Sequence, residues 1–284
     1  MIPITTAVAP QIEMICFFIS VLLFFFILYH RLRRQQQTQL HTGIEQLKLL
    51  RLLLADFQLH RGLSTALLSG DTSLTSDLHN TRQRLEKCIQ QASALDTAHH
   101  KQWFNLIHQW QHIHQNNTAK ASSNLLSHHR LIRHTIYLIE DIAHELNAAN
   151  SSHKLDYLNY IWHEVVQTAE WTGQARALGT SMAASQSSSA AQRVRLRFLH
   201  SKIKQLSSTA FSALETRNAN HLNVRQSQQT VNSFLLCLEQ ELLNCDYPHI
   251  EAKHYFEQAT QAINELLGMI DTALKDLQTV TKRI

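Results

Sequence analysis

Two arginines stand where apolar side chains belong. Steps of three and four residues through Leu47, Leu50, Leu54 and Phe57 arrive at Arg61, then Ser64 and Leu68. Such a stripe faces a core or a partner helix. The same steps through Leu155, Leu158, Trp162, Val165, Ala169 and Thr172 arrive at Arg176, then Gly179 and Ala183. A guanidinium on an apolar seam loses its water, at a cost on the order of several kcal/mol unless an anion or acceptors compensate. Small residues surround both: Gly62, Ser64, Thr65 and Ala66 beside the first, Thr172, Gly173, Ala175, Ala177, Gly179 and Thr180 beside the second. Setting RGLSTALL against RALGTSMA matches Arg, Leu and Thr.

Two such cations facing each other about 6 Å apart repel by roughly 3 kcal/mol at an effective dielectric near 20, and an anion between them removes that repulsion. The flat donor fork of arginine suits planar oxyanions such as carboxylate or nitrate. Ser64, Thr65 and Thr180 are candidate further donors, and the small side chains imply a small ligand. An interior glycine costs a helix up to about 1 kcal/mol, so Gly62, Gly173 and Gly179 point to close approach of backbone or ligand. The competing reading has each arginine snorkel to solvent or pair with a core acid such as Asp56 or Glu170. The chain would then be a helical tether or scaffold.

The elements that must carry these residues are helices. Only six Gly and three Pro occur in 284 residues, too few for a sheet protein with many tight turns. A helix over about 35–68 stops at Gly70, and further helices start near Thr75, carry Trp103 to Trp110, run about 119–146 and run from His153 to about Ala184. The break NAANSS separates the last two. A basic helix from Arg193, a seventh over about 224–243 and a last one over about 251–282 complete the set. Connections this short make neighbours antiparallel, so an all-α bundle is expected. Residues 35–284 read as one helical domain.

Several chemistries find no support. The formal charge of +4 is spread out, with no basic block suited to nucleic acid. No nucleophile–base set, phosphate loop or paired-carboxylate site stands out, so neither catalysis nor a cofactor is expected. Nineteen histidines include His108 and His112 on one helix face, and His128, His129 and His134 on the next. Without Cys or acid partners at ligand spacing they read as solvated, and a His-rich metal-binding bundle is the remaining alternative. The four tryptophans, Trp103, Trp110, Trp162 and Trp171, are expected in the core. Cys16, Cys88, Cys237 and Cys245 lack metal spacing and read as free thiols.

The N-terminus carries its own expectation. Met14–Tyr29 is uncharged and almost wholly apolar, preceded by Glu13 and followed by Arg31, Arg33 and Arg34. Residues 1–34 therefore read as a membrane anchor spanning about 14–30, in contact with the lipid bilayer. The positive-inside rule then places all that follows in the cytoplasm, beneath the inner membrane.

Three motifs resemble the NIT (nitrate- and nitrite-sensing) domain family. HRGLSTALLSG, residues 60–70, is similar to its first arginine motif, EWTGQARALGT, residues 170–180, to its second, and YFEQATQAINELLGMID, residues 255–271, to its closing helix. This chain departs at His60 and Ala175, where the family carries acids. The resemblance implies two stacked four-helix bundles, with nitrate or nitrite held by Arg61 and Arg176, and Gly62 and Gly173 as packing or access positions. The sequence ends within the last helix, so the output is expected to pass through an unknown signalling partner protein. A homodimer with a second copy is also to be considered.

Overall fold

The computed structural model describes residues 8–70, 72–95, 97–115, 120–149, 155–217, 219–245 and 247–281. The described residues form helices and turns with no strand, as the scarcity of Gly and Pro requires. Helix α1 (Val8–Leu68) is unbroken for 61 residues. Its Pro10 lies in the first turn, where no backbone donor is missed. The helix ends where Gly70 adopts φ 105, a left-handed stop that only glycine accepts without strain. After a short turn follow α2 (Thr75–Ser93), α3 (His100–Gln115) and α4 (Ala121–Ala149). Residues 147–149 of the NAANSS break are the last of α4, and residues 150–152 lie outside the described residues.

A π-helical turn at Ile161–Val165 leads into α5 (Val166–Ser185). Gln186, left-handed at φ 45, closes that helix. The next, α6 (Ala190–Thr216), opens on a reciprocal cap between Ser189 and Gln192. Helix α7 (Val224–Leu238) runs into a second π-helical turn, Glu239–Leu243, and α8 (Ala252–Thr281) closes the fold.

In packing, α1 lies against α2 and α4, with α3 against α4. Around α5 gather α6 and α8, and α7 fills the space between those two. The two groups meet where α1 crosses α5 and α8. The stripe residues Leu47, Leu50, Leu54 and Phe57 are buried, as are Leu158, Trp162, Val165 and Ala169. Leu68, expected on the same seam, is exposed at the frayed end of α1. Trp103, Trp110 and Trp162 are core residues, whereas Trp171 is half-buried at the margin of the core.

The membrane expectation is corrected. Among the described residues no helix is long and apolar enough to cross a membrane. The apolar stretch 14–29 has 16 residues, about 24 Å of helix, against a hydrocarbon core of about 30 Å. Its basic flank does not make up the difference. The single-pass anchor over 14–30, its bilayer contact and the inner-membrane placement are therefore not upheld. The stretch instead continues α1 as a helix whose side chains from Phe17 to Tyr29 are largely exposed.

Candidate functional site: a buried cationic junction

Arg61 is presented by α1 at the crossing with α5, and it is only 1% exposed. The same three-and-four spacing that buries Phe57 one turn earlier forces it inward. Its Nη1 donates to Glu170 Oε1 at 2.5 Å, so of the two candidate acids Glu170 is the partner. Asp56 pairs instead with Arg84 of α2, at 2.6 Å. Glu170 is 6% exposed, and both of its carboxylate oxygens are bonded. Gln58 Nε2 donates to Oε2 at 2.9 Å and Gln174 Nε2 to Oε1 at 2.8 Å. Arg61 Nη2 is buried with no hydrogen-bond partner. It lies against Gly173, where a methyl group would stand 3.0 Å from it, so glycine is what lets the guanidinium fit.

Arg176, on the next turn of α5 but one, is 8% exposed. Its Nη1 donates to Thr260 Oγ1 at 3.0 Å, and its guanidinium sits 4.8 Å from the centre of the Phe256 ring. Phe256 and Thr260 are one turn apart on α8, so a single face of that helix makes the cradle. Among the described residues no carboxylate pairs with Arg176. Burial, then the charge of Arg61, lower its pKa to about 10, against an opposing pull from Glu170. The two arginines thus feel each other, and the one carboxylate at the junction, Glu170, pairs with Arg61 alone.

The three sequence motifs meet here. Tyr255, beside Phe256 in the closing motif, packs on Gly179 and donates its hydroxyl to the Ala175 carbonyl at 2.9 Å. Gly179 is thus a packing position, since a methyl group there would strike the Tyr255 ring. Gly62 differs from expectation: a side chain there would meet nothing within 4 Å, so no close approach explains it. Ser64 is already committed, donating to the His60 carbonyl at 2.6 Å and accepting from Asn124 at 2.9 Å. Thr65 also accepts from Asn124. Thr180 keeps a buried hydroxyl without a partner.

The histidines correct a second expectation. His128, read as solvated, is fully buried, and so is His60. His60 Nδ1 and His128 Nε2 are 2.8 Å apart. His128 Nδ1 lies 2.8 Å from the Asn124 carbonyl, and Arg82 Nε donates to His60 Nε2 at 3.2 Å. A carbonyl only accepts and Arg82 Nε–H only donates, so both tautomers follow: each ring is neutral and carries its proton on Nδ1. Burial first, then His128 and Arg82, hold His60 at a pKa of about 2. Burial holds His128 at about 4, with Arg61 adding to the effect and the Asn124 hydrogen bond opposing it. His60 is thus a neutral ring wired into α2 and α4. Among the described residues no cluster of three or more His, Cys, Asp or Glu is arranged to hold a metal ion.

The fold and junction define an all-helical protein with a buried, undercompensated positive charge between two helix groups. The sequence matches the family described as nitrate and nitrite sensing over residues 52–278, and the chain belongs to that NIT family. Family membership points to a sensory role and not a catalytic one. Among solved structures the chain is similar to that of the NasR transcription antiterminator, with a TM-score of 0.65 and 19% identity over 93% of this chain and 75% of that one. At that identity the likeness shows the shared fold alone. No curated protein matches the sequence.

Proposed function

We propose that the chain is a receptor domain for nitrate or nitrite, bound at the junction by Arg61 and Arg176. The observation that carries this reading is the pair itself: two guanidiniums from α1 and α5, both buried, with the one carboxylate at the junction paired to Arg61 alone. A small planar anion supplies the missing negative charge and a partner for Arg61 Nη2. Gly173 gives access to the first guanidinium, and Gly179 keeps α8 close. In this reading α1–α4 and α5–α8 act as two stacked four-helix bundles. An anion that bridges them shifts α1 by its differential affinity for the two arrangements. NasR is a transcription antiterminator; here we assign the readout to a partner protein, or to a second copy of the chain, that senses the α1 shift.

The test is thermal unfolding of the full chain with nitrate, nitrite, chloride and formate. A ligand at about 100 times its Kd stabilises by about 2.7 kcal/mol. Nitrate or nitrite should raise Tm and chloride should not, while Arg176→Gln should abolish the rise. An unchanged Tm in millimolar nitrate and nitrite sinks the proposal.

The Arg61–Glu170 pair favours a second reading, a non-sensory scaffold whose buried arginine is satisfied internally. That scaffold needs no ligand and would show no anion-dependent shift.

A further inference from the structure

A cavity of about 200 Å³ lies between α4, α5 and α6, and Glu170, the partner of Arg61, is one of the residues that line it. Its walls include His129, Arg133, Trp171, Gln174 and Arg195 beside Glu170. Arg133 and Arg195 are exposed at the mouth. Arg195 lies 5.8 Å from the Trp171 ring centre and 5.1 Å from that of Phe198, and donates to Gln174 Oε1 at 2.6 Å. Gln174 in turn donates to Glu170, which accepts from Arg61. One line of polar groups thus runs from the surface to the buried guanidinium, with cations at both ends and a carboxylate between.

Carboxylate and nitrate are both planar oxyanions, and both satisfy arginine through paired oxygens. Glu170 therefore occupies on Arg61 the kind of contact that an incoming anion needs. We propose that this cavity is the entry site for a small planar oxyanion, and that Glu170 is its built-in competitor, exchanged from Arg61 toward Arg133 and Arg195 as the anion arrives. The inference rests on the receptor reading above and names its route and its gate. The exchange leaves no buried charge alone: the anion replaces the carboxylate on Arg61, and the mouth cations receive the carboxylate. An unpaired member at either place would be strongly unfavourable. The cationic mouth also concentrates anions ahead of the exchange.

Two measurements on the full chain test this. The first is nitrate affinity, read from the Tm shift, in the wild type and in Glu170→Gln. Removing the competitor's charge should tighten nitrate about tenfold or more; unchanged or weaker binding overturns the competitor role. Should Glu170→Gln fail to fold, Glu170→Asp, which keeps the charge on a shorter arm, should also bind nitrate more tightly, and weaker binding counts against the proposal.

The second measurement is fluorescence quenching. Trp103, Trp110 and Trp162 are buried, so a surface quencher reports mainly on Trp171. Arg133→Gln and Arg195→Gln should lower quenching by iodide about twofold or more while leaving neutral acrylamide unaffected, and Arg195→Lys should restore it. Equal loss with both quenchers, or none with either, overturns the entry site. The iodide arm needs no nitrate binding. A flat nitrate titration in every variant therefore condemns the receptor reading and the competitor together, whereas an intact nitrate response with unchanged iodide quenching condemns the entry site alone.

Discussion

At the scale of single residues, the same amino acid plays opposite parts. Gly179 lies under the Tyr255 ring, while Gly62 faces open space. Gly179→Ala should therefore cost about 1–3 kcal/mol by overpacking, whereas Gly62→Ala should be neutral or gain up to about 1 kcal/mol through helix propensity. Urea denaturation of the two variants checks both signs. Arg61→Ala leaves Glu170 buried without its cation and should cost about 3–5 kcal/mol, read by the same denaturation. Burial of Arg61 and Arg176 was legible from spacing, because a residue three or four steps from four buried neighbours has no other side to turn to. The partner on α5 was not legible, because it depends on how α1 crosses that helix. Asp56, five residues before Arg61 on the same helix, faces about 140° away and pairs with Arg84. The Phe256 and Thr260 cradle was equally hidden: 84 residues separate Thr260 from Arg176, and a hydroxyl in an Ala-Thr pair carries no mark of a partner.

At the scale of elements, most helix boundaries after Gly70 followed closely from that glycine stop and from the short polar breaks. The two π-helical turns did not, since a single extra residue in a turn leaves no pattern in composition. The neutral ring pair that joins α1, α2 and α4 was missed for a related reason: a histidine count says nothing about which rings the packing encloses. That pair makes stability depend on pH in a definite direction. The ordinary histidine value is 6.5, and the fold lowers it to about 2 for His60 and about 4 for His128. The unfolded chain takes up these protons below about pH 6.5 and the folded chain does not. The contribution is therefore fully present above pH 6.5 and is lost as pH falls toward 4, by up to about 1.4 kcal/mol per pH unit for each ring. Equilibrium unfolding at several pH values should show that slope, and His60→Asn should flatten it. An equal slope in the variant would assign the effect to other groups.

At the scale of the whole molecule, α1 is the element common to both helix groups. Arg51 on α1 also pairs with Asp271 on α8. Asp271 is 43% exposed, so Asp271→Asn should cost no more than about 1 kcal/mol, well below the cost of Arg61→Ala at the buried tie; matched urea curves compare the two. The all-helical class was legible from composition, whereas the exposure of the apolar stretch from Phe17 to Tyr29 was not, because apolarity alone does not say what a helix lies against. The exposed ring and aliphatic side chains of Phe17, Phe18, Leu22, Leu23, Phe24, Phe25 and Phe26 have a colloidal consequence. A rod of apolar surface extending from a polar body is a self-association site. The chain should therefore cluster reversibly as its concentration rises, at a threshold set by detergent and cosolvent and indifferent to nitrate.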